Sequence, residues 1–211
     1  MKIEHHPDAS TSMSYSAGSL PEALSAVVAA HLDVCQDCAL EVETMDRIGA
    51  SLFERIESVP MLASCSEDCG HLPSYDPAGS TIAEPSGNVL TRLLGCELSE
   101  VHWKRLGFRI WHYPIKLSPG SHGDLRLIKV SPGQVLPEHG HGGSELTLIL
   151  DGAYSDKYGN YRIGDVSDLG DDVDHRPISD PIEGCICLIA SDQKARFKDV
   201  VSRIFQPMTG L

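Results

Sequence analysis

The segment between Gly133 and Gly152 constrains the fold of this chain most strongly, because it combines metal-ligand side chains with strand spacing. Written as spacings, it is G-x5-H-x-H-x3-E-x6-G. On an extended strand, residues i and i+2 share a face, so His139 and His141 are expected to point to one side together. Glu145 lies an even step further along and adds an oxygen ligand. The segment therefore predicts a β domain that encloses a metal site.

Short apolar runs around this segment indicate further strands. They are separated by turn residues and span 108–113, 125–130, 146–150, 161–163 and 185–190. Several short strands at regular spacing favour an antiparallel sandwich or barrel. The C-terminal part of the chain is therefore predicted to be an all-β domain.

The first 56 residues carry a helical pattern instead. Gly18 is expected to end a first helix, the stretch SLPE at 19–22 is typical of a capping box for a second, and Asp33 is expected to cap a third. Between Ser58 and Ser86, prolines, glycines and serines indicate a linker. The N-terminal part is therefore predicted to consist of three short helices followed by a linker.

A second group of ligand side chains lies in the helical part, where HLDVCQDC reads H-x3-C-x2-C. Near a helix start, Cys35 and Cys38 project to one side, so both thiolates can reach one ion at about 2.3 Å while His31 supplies a nitrogen. A tetrahedral site needs a fourth donor, and in the preceding HHP tripeptide His6 is favoured over His5. A zinc cross-link would stabilise a helical unit that has little apolar area of its own.

Two other interpretations of these cysteines remain open. A C-x2-C pair can be a thioredoxin-like redox site, although that motif normally follows a strand in a βαβ unit, which this segment lacks. The thiols can also be buried without any ligand. Spacing and the spare N-terminal histidine favour zinc.

The composition limits the classes of partner. The 211 residues carry a formal net charge of −13, whereas nucleic-acid binders need clustered Lys and Arg, so a basic protein partner is favoured over direct nucleic-acid binding. The N-terminus lacks the apolar core of a secretory signal, and no stretch approaches the roughly 20 apolar residues that span a bilayer. We therefore expect a cytoplasmic protein without membrane contact, where close thiols more often hold metal than form disulfides.

The spacing from Gly133 to Gly152 matches the first motif of the cupin family, and a degenerate second motif opens at Gly164. This resemblance implies a cupin barrel with zinc or another divalent transition metal. The implied ligands are His139, His141, Glu145 and His175. A cupin fold whose metal site has lapsed is the alternative.

The N-terminal pattern resembles the zinc-binding anti-sigma domain. The shared features are HHP, a short helix with Met13 and Tyr15, Gly18, the Ser19 cap and H-x3-C-x2-C. This resemblance implies that one structural zinc is bound by His6, His31, Cys35 and Cys38. Followed by a cupin, the arrangement is similar over nearly the whole chain to the ChrR family of zinc anti-sigma factors.

The ChrR resemblance implies a fold and a function. The expected fold is α+β with two domains, a small helical zinc-binding anti-sigma domain with its linker over 1–85 and an antiparallel β-barrel over 86–211. The expected function is to bind and inhibit an extracytoplasmic-function sigma factor and to release it under singlet oxygen or related oxidative stress, with the cupin as sensor. A metal-dependent cupin enzyme, such as a dioxygenase or isomerase, is the alternative, and a metal-storage or metal-sensing protein is a third.

Other histidines and cysteines receive simpler interpretations. Cys185 and Cys187 share a face of one predicted strand and are expected to be buried by packing, with redox participation as the second interpretation. His112 and His122 are expected to be ordinary surface or loop residues rather than ligands. The linker motif C-x3-C-x-H has no evident fourth ligand, and a short helix is possible there. These linker predictions concern Cys65, Cys69, His71 and the span Met61–Cys69.

Overall fold

The computed structural model describes residues 2–57, 88–140, 143–170 and 173–193, together with the backbone of 196 and 197. Helices come first along the chain. They are α1 Ala9–Ser16, α2 Glu22–Leu32, α3 Gln36–Phe53 and α4 Val89–Leu94, followed by a 3-10 turn at Leu98–Glu100. Among the described helices, none is long and apolar enough to cross a membrane.

Eleven short strands follow in the described part of the chain. Their bounds are β1 Lys104–Gly107, β2 Ile110–Pro114, β3 Asp124–Val130, β4 His139–Gly140, β5 Glu145–Ser155, β6 Asn160–Arg162, β7 Val166–Leu169, β8 Asp174–His175, β9 Ile178–Ser179, β10 Cys185–Ser191 and β11 Arg196–Phe197. The larger sheet has the order β1-β2-β3-β10-β5-β6, with β7 and β9 also paired to β5, and the smaller has the order β11-β4-β8. The pairings between these strands are antiparallel. The predicted α+β class, with helices first and an antiparallel β unit after them, is confirmed.

Helix α2 packs on one face of the larger sheet. Its core-facing side chains are at most 3% exposed, and these are Ala23, Leu24, Val27 and Val28. They share one apolar cluster with strand residues of alternating register, Leu125, Leu127, Leu146, Leu148, Leu188 and Ala190. This contact joins the helical part and the sheet through a common core. Full burial of each Val or Leu side chain in it contributes about 1.5–3 kcal/mol to the stability of the folded chain.

The opposite face of the sheet forms a second cluster inside the β unit. It contains Ile128, Val130, Ile149, Tyr154, Tyr161, Cys185 and Cys187. Cys187 pairs with Ile149 across β10 and β5, and with Ile128 across β10 and β3. The predicted burial of Cys185 and Cys187 is confirmed, since they are 4% and 5% exposed.

The helix ends differ in part from the predicted caps. Gly18 follows α1 with φ +66°, as expected of a residue that ends a helix. The capping box at 19–22 is wrong, because the chain turns back after Gly18 and the Ser19 hydroxyl donates to the Ser14 carbonyl, leaving Pro21 as N-cap of α2. The Asp33 cap is also wrong: Asp33 ends α2, and its carboxylate accepts from Val89 N at 2.6 Å.

Candidate metal centres

Four donor side chains converge in the helical part, and we call this group the first centre. Their ligand atoms all lie within 4.8 Å of one another. His6 Nδ1 is 3.2 Å from Cys38 Sγ and 3.4 Å from Cys35 Sγ, and His31 Nε2 is 3.3 Å from Cys38 Sγ. A tetrahedral zinc with two nitrogen and two sulfur ligands has donor–donor edges of about 3.5 Å. The four residues therefore could hold a metal ion.

Three of these donors lie around the connection between α2 and α3. His31 lies in the last turn of α2, Cys35 is the N-cap of α3, and Cys38 lies in the first turn of α3. The carbonyl of His31 accepts from the N–H groups of Val34 and Cys35 at 3.0 and 2.9 Å, which closes the turn between the helices. His6 comes from the extended segment before α1, so only the fold brings it to the other three.

Three of the four donors of the first centre are buried. His31 is fully buried, Cys35 and Cys38 are 4% and 5% exposed, and His6 is exposed. Burial lowers the pKa of His31, which favours the neutral imidazole that binds metals, and burial raises the pKa of Cys38 to about 12. A metal bound here would displace the proton of the Cys38 thiol.

A second group of donors lies in the β unit, and we call it the second centre: His139, Glu145 and His175. Strands β4 and β8 place His139 directly opposite His175, with 3.1 Å between their Nε2 atoms. Glu145 begins β5, and its Oε1 is 3.9 Å from His175 Nε2. Three such donors could hold a divalent transition metal. The predicted ligand His141 lies outside the described residues.

The ring nitrogens remote from the second centre are occupied. His175 Nδ1 lies 2.9 Å from Asp156 Oδ2, and His139 Nδ1 lies 2.9 Å from the Pro137 carbonyl. Metal-binding histidines commonly donate their second nitrogen to a carboxylate or carbonyl, which directs the other nitrogen to the metal. Sequence reasoning missed Asp156, since it lies in the β5–β6 turn outside both motifs and only the fold brings it to His175.

Electrostatics at the second centre reflect its burial. Burial, followed by the neighbouring His175, lowers the pKa of His139 to about 4, and burial raises the pKa of Glu145 to about 7. Burial opposes ionisation of Asp156, yet the hydrogen bonds from His175, Tyr158 N and Gly159 N, with the charge of His175, together outweigh it and lower the pKa of Asp156. A bound cation would stabilise the ionised Glu145 and neutral imidazoles, the forms in which these groups are ligands.

The other histidines and cysteines considered in the sequence lie outside the two centres or outside the described residues. His122 is an exposed loop residue, as expected. His112 lies in strand β2 rather than in a loop, is half-buried with Nδ1 3.3 Å from Arg126 Nη1, and belongs to neither centre, as expected. The linker thiols Cys65 and Cys69, with His71, and the suggested helix across 61–69 lie outside the described residues.

The chain is similar to proteins of a known family. The family model described as the ChrR Cupin-like domain matches residues 91–195. The chain is 33% identical over 213 residues to the anti-sigma-E factor ChrR of Cereibacter sphaeroides, with 98% of each chain covered.

A solved structure matches as well. It is the crystal structure of Rhodobacter sphaeroides SigE in complex with the anti-sigma ChrR, with a TM-score of 0.75 and 32% identity over 90% of this chain and 100% of that chain. Both relatives are regulators by name, which confirms the expectation of a regulator rather than an enzyme. The match extends through the helices and the β unit alike, and the chain therefore belongs to the ChrR family of anti-sigma factors.

Proposed function

We propose that this protein binds and inhibits a sigma factor of the extracytoplasmic-function class, and that the helical unit supplies the contact surface. The observation that carries the proposal is the match, over 90% of this chain, to ChrR in its complex with SigE. The relative of known structure thus binds a sigma factor with the same arrangement of helices and β unit. The net charge of −13 suits a basic partner.

The C-terminal half of α3 offers an apolar surface for this partner. Ile48 and Leu52 lie four residues apart on α3, Ile56 follows just beyond its end, and they are 60%, 59% and 66% exposed in the part of the chain that the structure describes. Phe53, beside them, is 75% exposed. Exposed apolar patches of this kind mark interaction sites, because they lose unfavourable hydration when a partner covers them.

Acidic side chains flank this apolar surface. The exposed carboxylates on and just after α3 are Asp37, Glu41, Glu43, Asp46, Glu54 and Glu57, and they outnumber the two exposed cations of this stretch, Arg47 and Arg55. An apolar strip bordered by acidic groups is complementary to a surface that combines apolar and basic side chains. Such complementarity favours encounter with the right partner more than it adds affinity.

We further propose that the first centre holds zinc, with His6, His31, Cys35 and Cys38 as its ligands. The short donor distances and the two-nitrogen, two-sulfur set support zinc over harder ions. For the second centre we propose zinc or another divalent transition metal, with His141 completing the set of His139, Glu145 and His175. Residues 1–85 would form the sigma-binding unit, and residues 86–211 the sensing unit.

The proposed signal is singlet oxygen or a related oxidant that acts on the cupin part in the cytoplasm. A reducing compartment suits the chemistry of the first centre, since its thiols are needed as metal ligands rather than as disulfides. The packing of α2 on the sheet supplies a physical link between the sensing and binding parts. An oxidant that changes the second centre would act on the helices through this shared core.

The experiment is capture of the partner by tagged full-length protein from the native cell, followed by identification of the captured chain. The complex is then rebuilt from purified components. We expect a one-to-one complex with one sigma factor. While it is bound in this complex, the sigma factor should not support transcription. Capture of no sigma factor, or full transcription by the rebuilt complex, would overturn the proposal.

A matched pair of variants tests the α3 surface. Leu52→Asp places a charge in the apolar strip and should weaken sigma binding by about tenfold or more, because that charge would be desolvated at the interface. Ile182→Asp is the control, since Ile182 is 83% exposed but lies in the turn before β10. Equal affinities for the two variants would exclude α3 as the contact surface.

A further inference from the structure

The first centre is joined to the β unit by the turn between β6 and β7. This turn consists of Ile163, Gly164 and Asp165, between the end of β6 at Arg162 and the start of β7 at Val166. It contacts the chain on both sides of the first centre, once at the extended segment that carries His6 and once at His31. These contacts cross the division between the helical part and the β part.

The segment before His6 is held at three backbone positions. Asp165 Oδ1 accepts from Glu4 N at 2.8 Å and from His5 N at 3.1 Å. Val166 N donates to the His5 carbonyl at 3.0 Å. Because successive Cα atoms are about 3.8 Å apart, fixing both backbone groups of His5 limits where the backbone of His6 can lie.

The His5 side chain adds a further contact to the same arrangement. Its ring packs on Tyr161, with 4.6 Å between ring centroids. Gly159 leaves room for it, since a Cβ at that position would lie 3.3 Å from His5 Cε1. The extended segment is therefore fitted to the β unit by side-chain as well as backbone contacts.

The same turn orients His31. The Gly164 carbonyl accepts from His31 Nδ1 at 3.0 Å, so Nε2 is the nitrogen that faces Cys38. With His31 fully buried, this bond also satisfies a ring nitrogen that water does not reach. A histidine ligand whose second nitrogen is held in this way is fixed in both ring orientation and tautomer.

The turn is itself anchored to the sheet. Asp165 is 3% exposed, and its second oxygen, Oδ2, accepts from Arg162 N at 2.9 Å. Gly164 N donates to the Ile149 carbonyl at 2.9 Å, and Ile149 N donates to the Asp165 carbonyl at 3.1 Å. Ile149 belongs to β5, the strand that begins with Glu145 of the second centre. The contacts to His5 and His31 therefore rest on the central sheet rather than on a free loop.

We propose that Asp165 and the Gly164 carbonyl are positioning groups for the first centre, so that the β unit sets how tightly the N-terminal metal is held. This inference rests on the proposed metal occupancy of the first centre. Asp165 holds the segment that presents His6, and Gly164 holds the ring of His31. Two of the four donors thus depend on a turn more than 120 residues away in sequence, as the separations of 160 and 133 residues show.

Cobalt(II) titration of metal-free, full-length protein tests the proposal. Thiolate-to-cobalt absorption separates the first centre from the second, because the donors proposed for the second centre include no thiolate. Asp165→Asn keeps the side-chain shape but removes the charge that strengthens three backbone hydrogen bonds. We expect it to weaken cobalt binding at the first centre by about 10-fold to 100-fold, the usual effect of losing a group that orients a ligand.

Asp168→Asn is the matched control. Asp168 lies on the neighbouring strand β7 and accepts from Asp8 N at 3.0 Å, which holds the start of α1 but no residue next to His6. It should change cobalt affinity by less than about twofold. Glu4→Pro is the second test variant in case Asp165→Asn does not fold: it removes one donor to Asp165 from an exposed segment and should weaken cobalt binding in the same direction.

The outcomes separate this inference from the proposed function. Folded Asp165→Asn and Glu4→Pro proteins that bind cobalt as tightly as the Asp168→Asn control would overturn the positioning role and leave sigma binding intact. If the unaltered protein gave no thiolate-to-cobalt absorption, the proposed metal occupancy would itself fail. Weakened binding confined to the two test variants supports the positioning role.

Discussion

His175 and Asp156 form a buried pair at the second centre, with 2.9 Å between Nδ1 and Oδ2. Their side chains are 3% and 0% exposed. A carboxylate in this position accepts a hydrogen bond from Nδ1 and directs Nε2 towards His139 and Glu145. Asp156 therefore orients a donor of the second centre, although it contributes no donor atom itself.

Asp156→Asn should weaken metal binding at the second centre by about 10-fold to 100-fold, because the ring of His175 loses its charged partner. Competition with a chelating dye measures the change. Asp156 also accepts from Tyr158 N and Gly159 N in its turn. Asp180→Asn controls for that role, since Asp180 accepts similarly from Ile182 N and Glu183 N away from either centre. A similar loss of metal affinity in both variants would contradict the orienting role.

Cys35→Ser and Cys38→Ser should each release about one equivalent of metal per chain and abolish sigma inhibition, since the helices lose the cross-link that holds them. Elemental analysis and a transcription assay measure these two effects. Cys96→Ser is the control, because Cys96 is half-buried and belongs to neither centre. Full metal content in the Cys38→Ser protein would show that the first centre is not a metal site.

Leu24→Ala should lower the free energy of unfolding by about 2–5 kcal/mol, because Leu24 is 3% exposed in the core shared by α2 and the sheet. Urea unfolding measures this change. Leu40→Ala is the control on α3, where Leu40 is 54% exposed, and it should change stability by no more than about 0.5 kcal/mol. If Leu24→Ala altered only a helical transition and left the sheet transition unchanged, the shared core would contribute little to the β unit.

Glu145→Gln should leave sigma binding intact but reduce sigma release by oxidant, because the second centre lies in the β unit away from α3. Induction of a sigma-dependent reporter by singlet oxygen measures the release. Glu183→Gln is the control, since Glu183 lies in the exposed turn before β10. Normal induction in the Glu145→Gln strain would remove the second centre from the sensing mechanism.

The local sequence pattern was enough to predict three of the four donors of the first centre. His31, Cys35 and Cys38 lie within eight residues, and the turn between α2 and α3 fixes their directions, so spacing predicted that they converge. The short apolar runs at 125–130, 146–150 and 185–190 likewise predicted strands that correspond to β3, β5 and β10. The cap at Asp33 was wrong because its carboxylate bonds to Val89 N, a contact that no local pattern encodes.

By itself, the sequence determined the order of helices and strands, the spacing of the donor residues and the resemblance to the ChrR family, because these depend on neighbouring residues. Only the tertiary structure decided which distant groups contact the metal donors and which elements share a core. Asp156 reaches His175, the Gly164 carbonyl reaches His31, and α2 shares its core with the sheet. Contacts of such large separation form only when packing brings remote segments together, and burial then selects the polar partners that satisfy one another.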